Sequence, residues 1–324
     1  MYQLFFSKLI LVGLVLKFQI LNSFFEKIFV FIILLLCLNS CSKDQGYQYE
    51  DKQYKDKCSG TALPIKTLNH DGLLREYIIY IPDSYDGESK LPLMINFHGF
   101  GGKANDHMFC ADMRSLADSK NFILIYPQGS ELEGVSHWNA SLNGGDNKSN
   151  VNDLGFIESL INSHSDIVDL KRVYAVGFSN GGMMSYALGC YKSNLIAAIG
   201  SISGSMLQND CIPSHSIPLI KLHGTSDSVI SYNGVGDYNS VESTLNFWIN
   251  FNKTNTNPVF KSIVDNQSTI EKYFYSEGTN DVSIEHYKIV NGSHVWFDIN
   301  FEENNTNELI WNFVSKYDIN GLRK

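Results

Sequence analysis

Five short, largely apolar runs constrain this chain more than any other feature. Residues 91–97, 121–126, 173–176, 196–202 and 218–222 each read as a buried strand, and each is followed at once by Gly, Pro, Ser or His. Helical spacing lies between them, with Leu154, Ile157, Leu160 and Ile161 on one face of residues 153–167 and a further helix over 183–188. Residues 73–81 and 282–290 add strands, and 308–317 closes the chain with an amphipathic helix. Apolar runs without clean alternation are buried on both faces. Alternating with helices, they specify an α/β fold with a mostly parallel central sheet and helices on both faces. No internal repeat is evident.

The first 40 residues follow different rules. Residues 28–38 form an unbroken apolar run of eleven, preceded by Lys27. A spanning helix needs about 20 such residues, so the run suits the core of a signal peptide. Ser40-Cys41 follows, which resembles a bacterial lipobox with Asn39 as its unusual member. Residues 1–40 are therefore expected to be a lipoprotein leader with an over-long start, Cys41 the lipidated residue, 41–60 a polar tether and 61–324 the folded domain. The competing expectation is an uncleaved anchor that also uses residues 4–16. Export, with membrane contact only through the lipid, follows from the first reading.

Charge limits the partners. The chain has 25 basic and 34 acidic residues, and removing Lys8, Lys17, Lys27 and Glu26 of the leader leaves 22 against 33. Such a surface repels nucleic-acid phosphates and anionic lipid, so no nucleic-acid partner is expected. Outside the leader and Cys41 stand Cys58, Cys110, Cys190 and Cys211. An even number in an oxidising compartment suggests two disulfides out of three pairings. Cys190 ends a predicted helix and Cys211 follows the next strand, which favours Cys190–Cys211 with Cys58–Cys110. Four buried thiols are the alternative. No Cys-x-x-Cys or His/Cys cluster has zinc spacing, and neither a metal nor a cofactor is expected.

Chemistry gathers where strands end. Gly177-Phe178-Ser179-Asn180-Gly181 stands between a strand and a helix. A serine on so sharp a turn presents its hydroxyl beside the positive end of the helix, as a nucleophile elbow does. His98-Gly99-Phe100-Gly101-Gly102 follows an earlier strand and lets backbone N–H groups approach a substrate oxygen. The amides of Phe100 and Asn180 are the predicted oxyanion donors. Asp227, just beyond the strand at 218–222, is the predicted orienting acid, with Asp237 in reserve. His294, after the turn Asn291-Gly292-Ser293, is the predicted base. His286 lies within a strand and reads as structural, while His223 precedes the acid and reads as a brace for its loop. Trp138 and Trp296 are candidate walls for an aromatic acyl group or a sugar, or else core residues. The loop 131–152 is polar and long enough to be functional.

Seven ordered blocks carry a family resemblance over residues 73–317. They are His98-Gly99-Phe100-Gly101-Gly102, Tyr126-Pro127-Gln128-Gly129, Trp138-Asn139, Asp153-Leu154-Gly155-Phe156-Ile157, Arg172 through Met184, His223-Gly224-Thr225-Ser226-Asp227 and Ser293-His294-Val295-Trp296. In these the chain resembles α/β-hydrolase esterases related to polyhydroxybutyrate depolymerases and to feruloyl or acetylxylan esterases. The resemblance implies an α/β-hydrolase fold and the triad Ser179, Asp227 and His294; the mechanism needs no cofactor, and a monomer is expected. It also implies an ester substrate, either a feruloyl or acetyl ester of polysaccharide or a polyester. A serine peptidase on the same fold is a further reading, though the chain has no room for the gating domain such peptidases usually carry. A surface-binding lipoprotein without activity would lack a triad member, and none is missing. The chain departs from the family where Ser293 precedes His294 and Phe297 follows Trp296.

Overall fold

The computed structural model describes Cys58 and residues 60–142, 149–208 and 211–324. Expectations for the leader, for Cys41 and for most of the tether fall outside these residues, as do residues 143–148 of the polar loop. The strands of the main sheet and of one hairpin beside it are β1 Lys66–His70, β2 Leu73–Tyr80, β3 Leu91–Phe97, β4 Ile123–Pro127, β5 Ser130–Leu132, β6 Val135–His137, β7 Val168–Phe178, β8 Ala198–Ile202, β9 Leu219–Gly224, β10 Val259–Asp265, β11 Ser268–Tyr275 and β12 Ile284–Ile289. The α-helices are α1 Ala104–Cys110, α2 Arg114–Lys120, α3 Asp153–Ser163, α4 Asn180–Tyr191, α5 Val241–Asn252 and α6 Thr306–Val314.

Ten strands form one sheet in the order β1-β2-β4-β3-β7-β8-β9-β12-β11-β10. The six central strands, β4 to β12 in that order, run parallel, and antiparallel strands flank them on each side. Every residue of β3, β4, β8 and β9 is buried, which is why these runs lack alternation. The strand expected at 173–176 extends over Val168–Phe178 and delivers the chain to the elbow. Helix α4 begins at Asn180, three residues before the expected start, and Asn180 through Cys190 are all buried. A helix without a polar face belongs in the interior. Disulfides join Cys58 to Cys110 and Cys190 to Cys211. The first closes the end of α1 onto the start of the described chain, and the second fastens the end of α4 to the segment before β9.

Buried imidazoles make this fold sensitive to acid. Burial pushes His98 down to about 4, and His107 and His286 to about 3. His107 is held through Asn96 Oδ1 at 2.8 Å. In the unfolded chain a histidine titrates near ~6.5. Between that pH and the folded values the unfolded state binds more protons, so stability present above ~6.5 is lost as the pH falls. Each residue contributes about 3 kcal/mol or more over this window. The melting temperature is therefore expected to drop steeply between pH 6.5 and pH 4. A calorimetric Tm that stays level across that range would contradict the buried neutral imidazoles.

Candidate active site

Ser179 occupies the turn between β7 and α4 with φ 54° and ψ −119°. A non-glycine residue in this region is strained, and the surroundings must impose it. They do so from both sides. The Ser179 N–H donates to Ile202 O of β8 at 2.8 Å, and its carbonyl accepts from Met183 N–H at 3.0 Å. Gly177 and Gly181 are required sterically. A Cβ on Gly177 would overlap the Gly181 carbonyl, and one on Gly181 would overlap the carbonyls of Phe97 and His98.

Two further loops meet the elbow. β9 and β12 are parallel neighbours, so the turns at their C-terminal ends lie side by side. Hydrogen bonds stitch these turns together, Thr225 N–H to Ile289 O at 2.9 Å and Ser226 N–H to Gly292 O at 3.0 Å. Asp227 stands on the first turn and His294 on the second. His294 Nδ1 lies 2.7 Å from Asp227 Oδ2, and His294 Nε2 lies 2.9 Å from Ser179 Oγ. An ionised carboxylate only accepts, so Nδ1 carries the ring proton and Nε2 is the acceptor of the serine hydroxyl. Asp227 Oδ1 takes the N–H groups of Val229 and Ile230 at 2.9 and 2.8 Å. Burial opposes ionisation of Asp227, but the hydrogen bonds from His223 and His294 outweigh it and hold the carboxyl well below the usual range. Asp237 is exposed, and it is Asp227 whose carboxylate meets His294.

The loop after β3 abuts Ser179. A Cβ on Gly99 would lie 3.3 Å from the Cβ of Ser179, so this loop meets the elbow one residue before Phe100. Asn180 is the first residue of α4, where an amide has no partner within the helix. Neither the Phe100 nor the Asn180 amide donates to a backbone carbonyl among the described residues. His98 braces this loop. Its Nδ1–H donates to Gly99 O at 2.7 Å, and its Nε2 accepts from Gly129 N–H at 2.9 Å. That arrangement requires the neutral ring that its depressed pKa provides.

Neither candidate tryptophan offers a stacking face. Trp138 is 0% exposed, edge-on to Phe97, and its Nε1–H donates to His98 O at 3.0 Å. Its backbone exchanges two hydrogen bonds with the Asn180 side chain. Trp296 is 5% exposed, packs edge-on against His107 and donates to Asn307 Oδ1. Both belong to the scaffold under the site. Asp153 is a scaffold residue that sequence reasoning left without a role. Its carboxylate takes Arg75 Nη2 at 2.7 Å, Ser130 Oγ at 2.9 Å and Asn139 N–H at 2.8 Å, all buried. A buried carboxylate is tolerated only when so fully paired. Among the described residues no group of three His, Cys, Asp or Glu is arranged to hold a metal.

A family model described as phospholipase/carboxylesterase matches residues 86–267. The chain belongs to that family. The match spans Ser179 and Asp227, and His294 lies beyond it. Among curated relatives, the bifunctional acetylxylan esterase/xylanase of Neocallimastix patriciarum is 27% identical over 264 residues, 79% of this chain and 36% of that one. Feruloyl esterase B of Piromyces equi is 30% identical over 167 residues, 49% of this chain and 30% of its own. Feruloyl esterase D of Neurospora crassa is 28% identical over 178 residues, 51% of this chain and 57% of its own. The chain thus spans well under two thirds of each relative's length. Acetyl xylan esterase from Aspergillus awamori superposes with a TM-score of 0.58 at 14% identity, covering 78% of this chain and 99% of that structure. This likeness shows a shared α/β-hydrolase fold.

Proposed function

We propose that the protein is an exported serine carboxylic-ester hydrolase acting on feruloyl or acetyl esters of plant or algal polysaccharide. The observation that carries this reading is the relay from Ser179 Oγ through His294 to Asp227, at 2.9 and 2.7 Å, on a strained strand-to-helix turn. His294 Nε2 takes the hydroxyl proton as Ser179 Oγ attacks the ester carbonyl. The Phe100 and Asn180 amides receive the developing oxyanion, each such donor being worth about 3 kcal/mol in comparable sites. Collapse returns the proton to the leaving alcohol and leaves an acyl-serine. Water, deprotonated by His294, then releases the acid and restores the serine. Two disulfides fit an oxidising compartment, which supports export. A lipid on Cys41 would keep the enzyme at the cell surface.

The substrate reading rests on the relatives' names together with the rim of the site. Phe100 carries an oxyanion amide while its ring is 56% exposed. The β5–β6 hairpin is fastened to the same loop, with Gly101 N–H donating to Ser136 O at 2.7 Å and Ser136 Oγ–H donating to Gly102 O. That hairpin exposes Leu132 and Val135, and Val229 is exposed beside Asp227. An apolar rim of this size suits one aromatic or short acyl group rather than an oil surface. The test is kcat/KM for methyl ferulate, acetylated xylo-oligomer, hydroxybutyrate trimer and trioctanoin in one buffer. One of the first two is expected to lead. A lead for the trimer would replace this reading with polyester hydrolysis, and a lead for trioctanoin would end the carbohydrate-ester reading.

A further inference from the structure

Asp227 faces two imidazoles. His223 Nε2 lies 3.3 Å from Oδ2, the same oxygen that His294 uses, and 2.8 Å from the carbonyl oxygen of Ile230. A carbonyl only accepts, so Nε2 bears the proton of the neutral ring and donates it to Ile230 O, with Asp227 Oδ2 3.3 Å from the same nitrogen. His223 Nδ1 is then bare, and it is buried with no hydrogen-bond partner among the described residues. An orphaned buried acceptor costs stability that an apolar side chain would not. A role on the other side of the ring would explain why histidine stands here.

The surroundings keep His223 a neutral donor. Burial and the neighbouring Lys221 ammonium both push its pKa down. Lys221, on the same strand, donates to Gly204 O at 2.7 Å and lies under the Tyr186 ring of α4. From β12, His286 faces Lys221 O through Nδ1 at 3.1 Å and Tyr232 OH through Nε2 at 2.8 Å. The Tyr232 ring stands edge-on to His223. Asp227 and His294 are further titratable groups beside it, and Lys288, its register partner on β12, is paired with Glu271 at 2.8 Å. The loop that carries Asp227 is thus anchored to the sheet at Ile230 by His223 and at Tyr232 by His286. Because Oδ1 is committed to Val229 and Ile230, only Oδ2 can orient His294, and His223 competes for it.

We propose that His223 is a positioning residue for Asp227, whose Nε2–H shares the Oδ2 oxygen with His294 and so sets how strongly that oxygen holds the base. The inference rests on the esterase reading above, in which His294 is that base. An N–H whose positive end lies beside Oδ2 offsets part of the negative charge that this oxygen presents to His294 and so disfavours the imidazolium. Removing that donor therefore favours protonated His294, and activity is lost at a higher pH.

The test uses the full chain and a short-chain nitrophenyl ester. In His223→Phe the acid limb of kcat/KM is expected to move up by about half a pH unit or more. His223→Gln, whose amide restores a donor at the Nε2 position, is expected to hold the limb within about 0.2 unit of wild type. A mere brace would lower stability in both variants and leave the limb where it was. A limb in His223→Phe that stays put or moves down overturns the proposal. Wild-type protein gives a second readout that needs neither folding of a variant nor turnover. With nitrogen-15 in its histidines, the His223 Nε2 resonance is expected to shift with the same midpoint as the His294 ring. Independent titration would also overturn it. Failure of every ester, or hydrolysis that survives Ser179→Ala, would defeat the esterase reading while the resonance test of His223 still stands.

Discussion

Ser179→Ala is expected to lower kcat for ester hydrolysis by roughly 10⁴–10⁶ while the protein stays folded. The loss is large because His294 Nε2 is directed at Ser179 Oγ and would lose the hydroxyl that it activates. Ser203 is the other positive-φ serine close by, and its hydroxyl is directed to the Val295 carbonyl at 3.3 Å. Fold should survive because the backbone bonds of Ser179, to Ile202 O and from Met183 N–H, do not involve its side chain. Alanine must still adopt φ 54°, as serine already does, so the strain barely changes. Single-turnover rates on a nitrophenyl ester, with circular dichroism as the folding control, measure the effect. Activity within tenfold of wild type would remove Ser179 as the nucleophile.

Asp227→Asn is expected to cost about 10⁴ in kcat, and the hydrogen bonds say why. Oδ1 accepts from the backbone N–H groups of Val229 and Ile230. The asparagine carbonyl must remain there, so its NH₂ turns to the Oδ2 position. That group faces His294 Nδ1 and His223 Nε2. His294 can relieve the clash of donors only by moving its proton from Nδ1 to Nε2. In that tautomer it cannot accept from Ser179. Substrate binding does not involve this change, so KM should move far less than kcat. A kcat within tenfold of wild type would mean that Asp227 does not orient the base.

Much of this arrangement was legible because it is local in sequence. The Gly-x-Ser-x-Gly turn needs only the residues around it. Asp227 and His294 each follow a strand run by a few residues, so the order of strand ends places them. The central strands were visible because residues such as Leu93, Ile95 and Leu222 are buried whatever packs on them. What the sequence hid depends on the third dimension. Trp138 sits at the head of a polar loop, yet its indole points inward under the loop after β3. Lys221 interrupts an apolar run and looks like an exposed residue, but it is buried, and burial pulls its ammonium down to about 7. The β10–β11 hairpin was missed because exposed Val259, Phe260 and Val264 give it no clean alternation. Helix α5 does carry a sequence signal. Val241, Leu245, Trp248, Ile249 and Asn252 line one buried face, and Ser240 caps it through Ser243 N–H.

Covalent trapping tests the central claim most directly. The full chain is treated with a fluorophosphonate, which reports an activated serine, and the adduct is located by peptide mass spectrometry. The account predicts one equivalent of label on Ser179, loss of ester hydrolysis in step with labelling, and labelling slowed by several orders of magnitude in His294→Ala. Label on a different residue, or ester turnover that continues once Ser179 is fully modified, would contradict it.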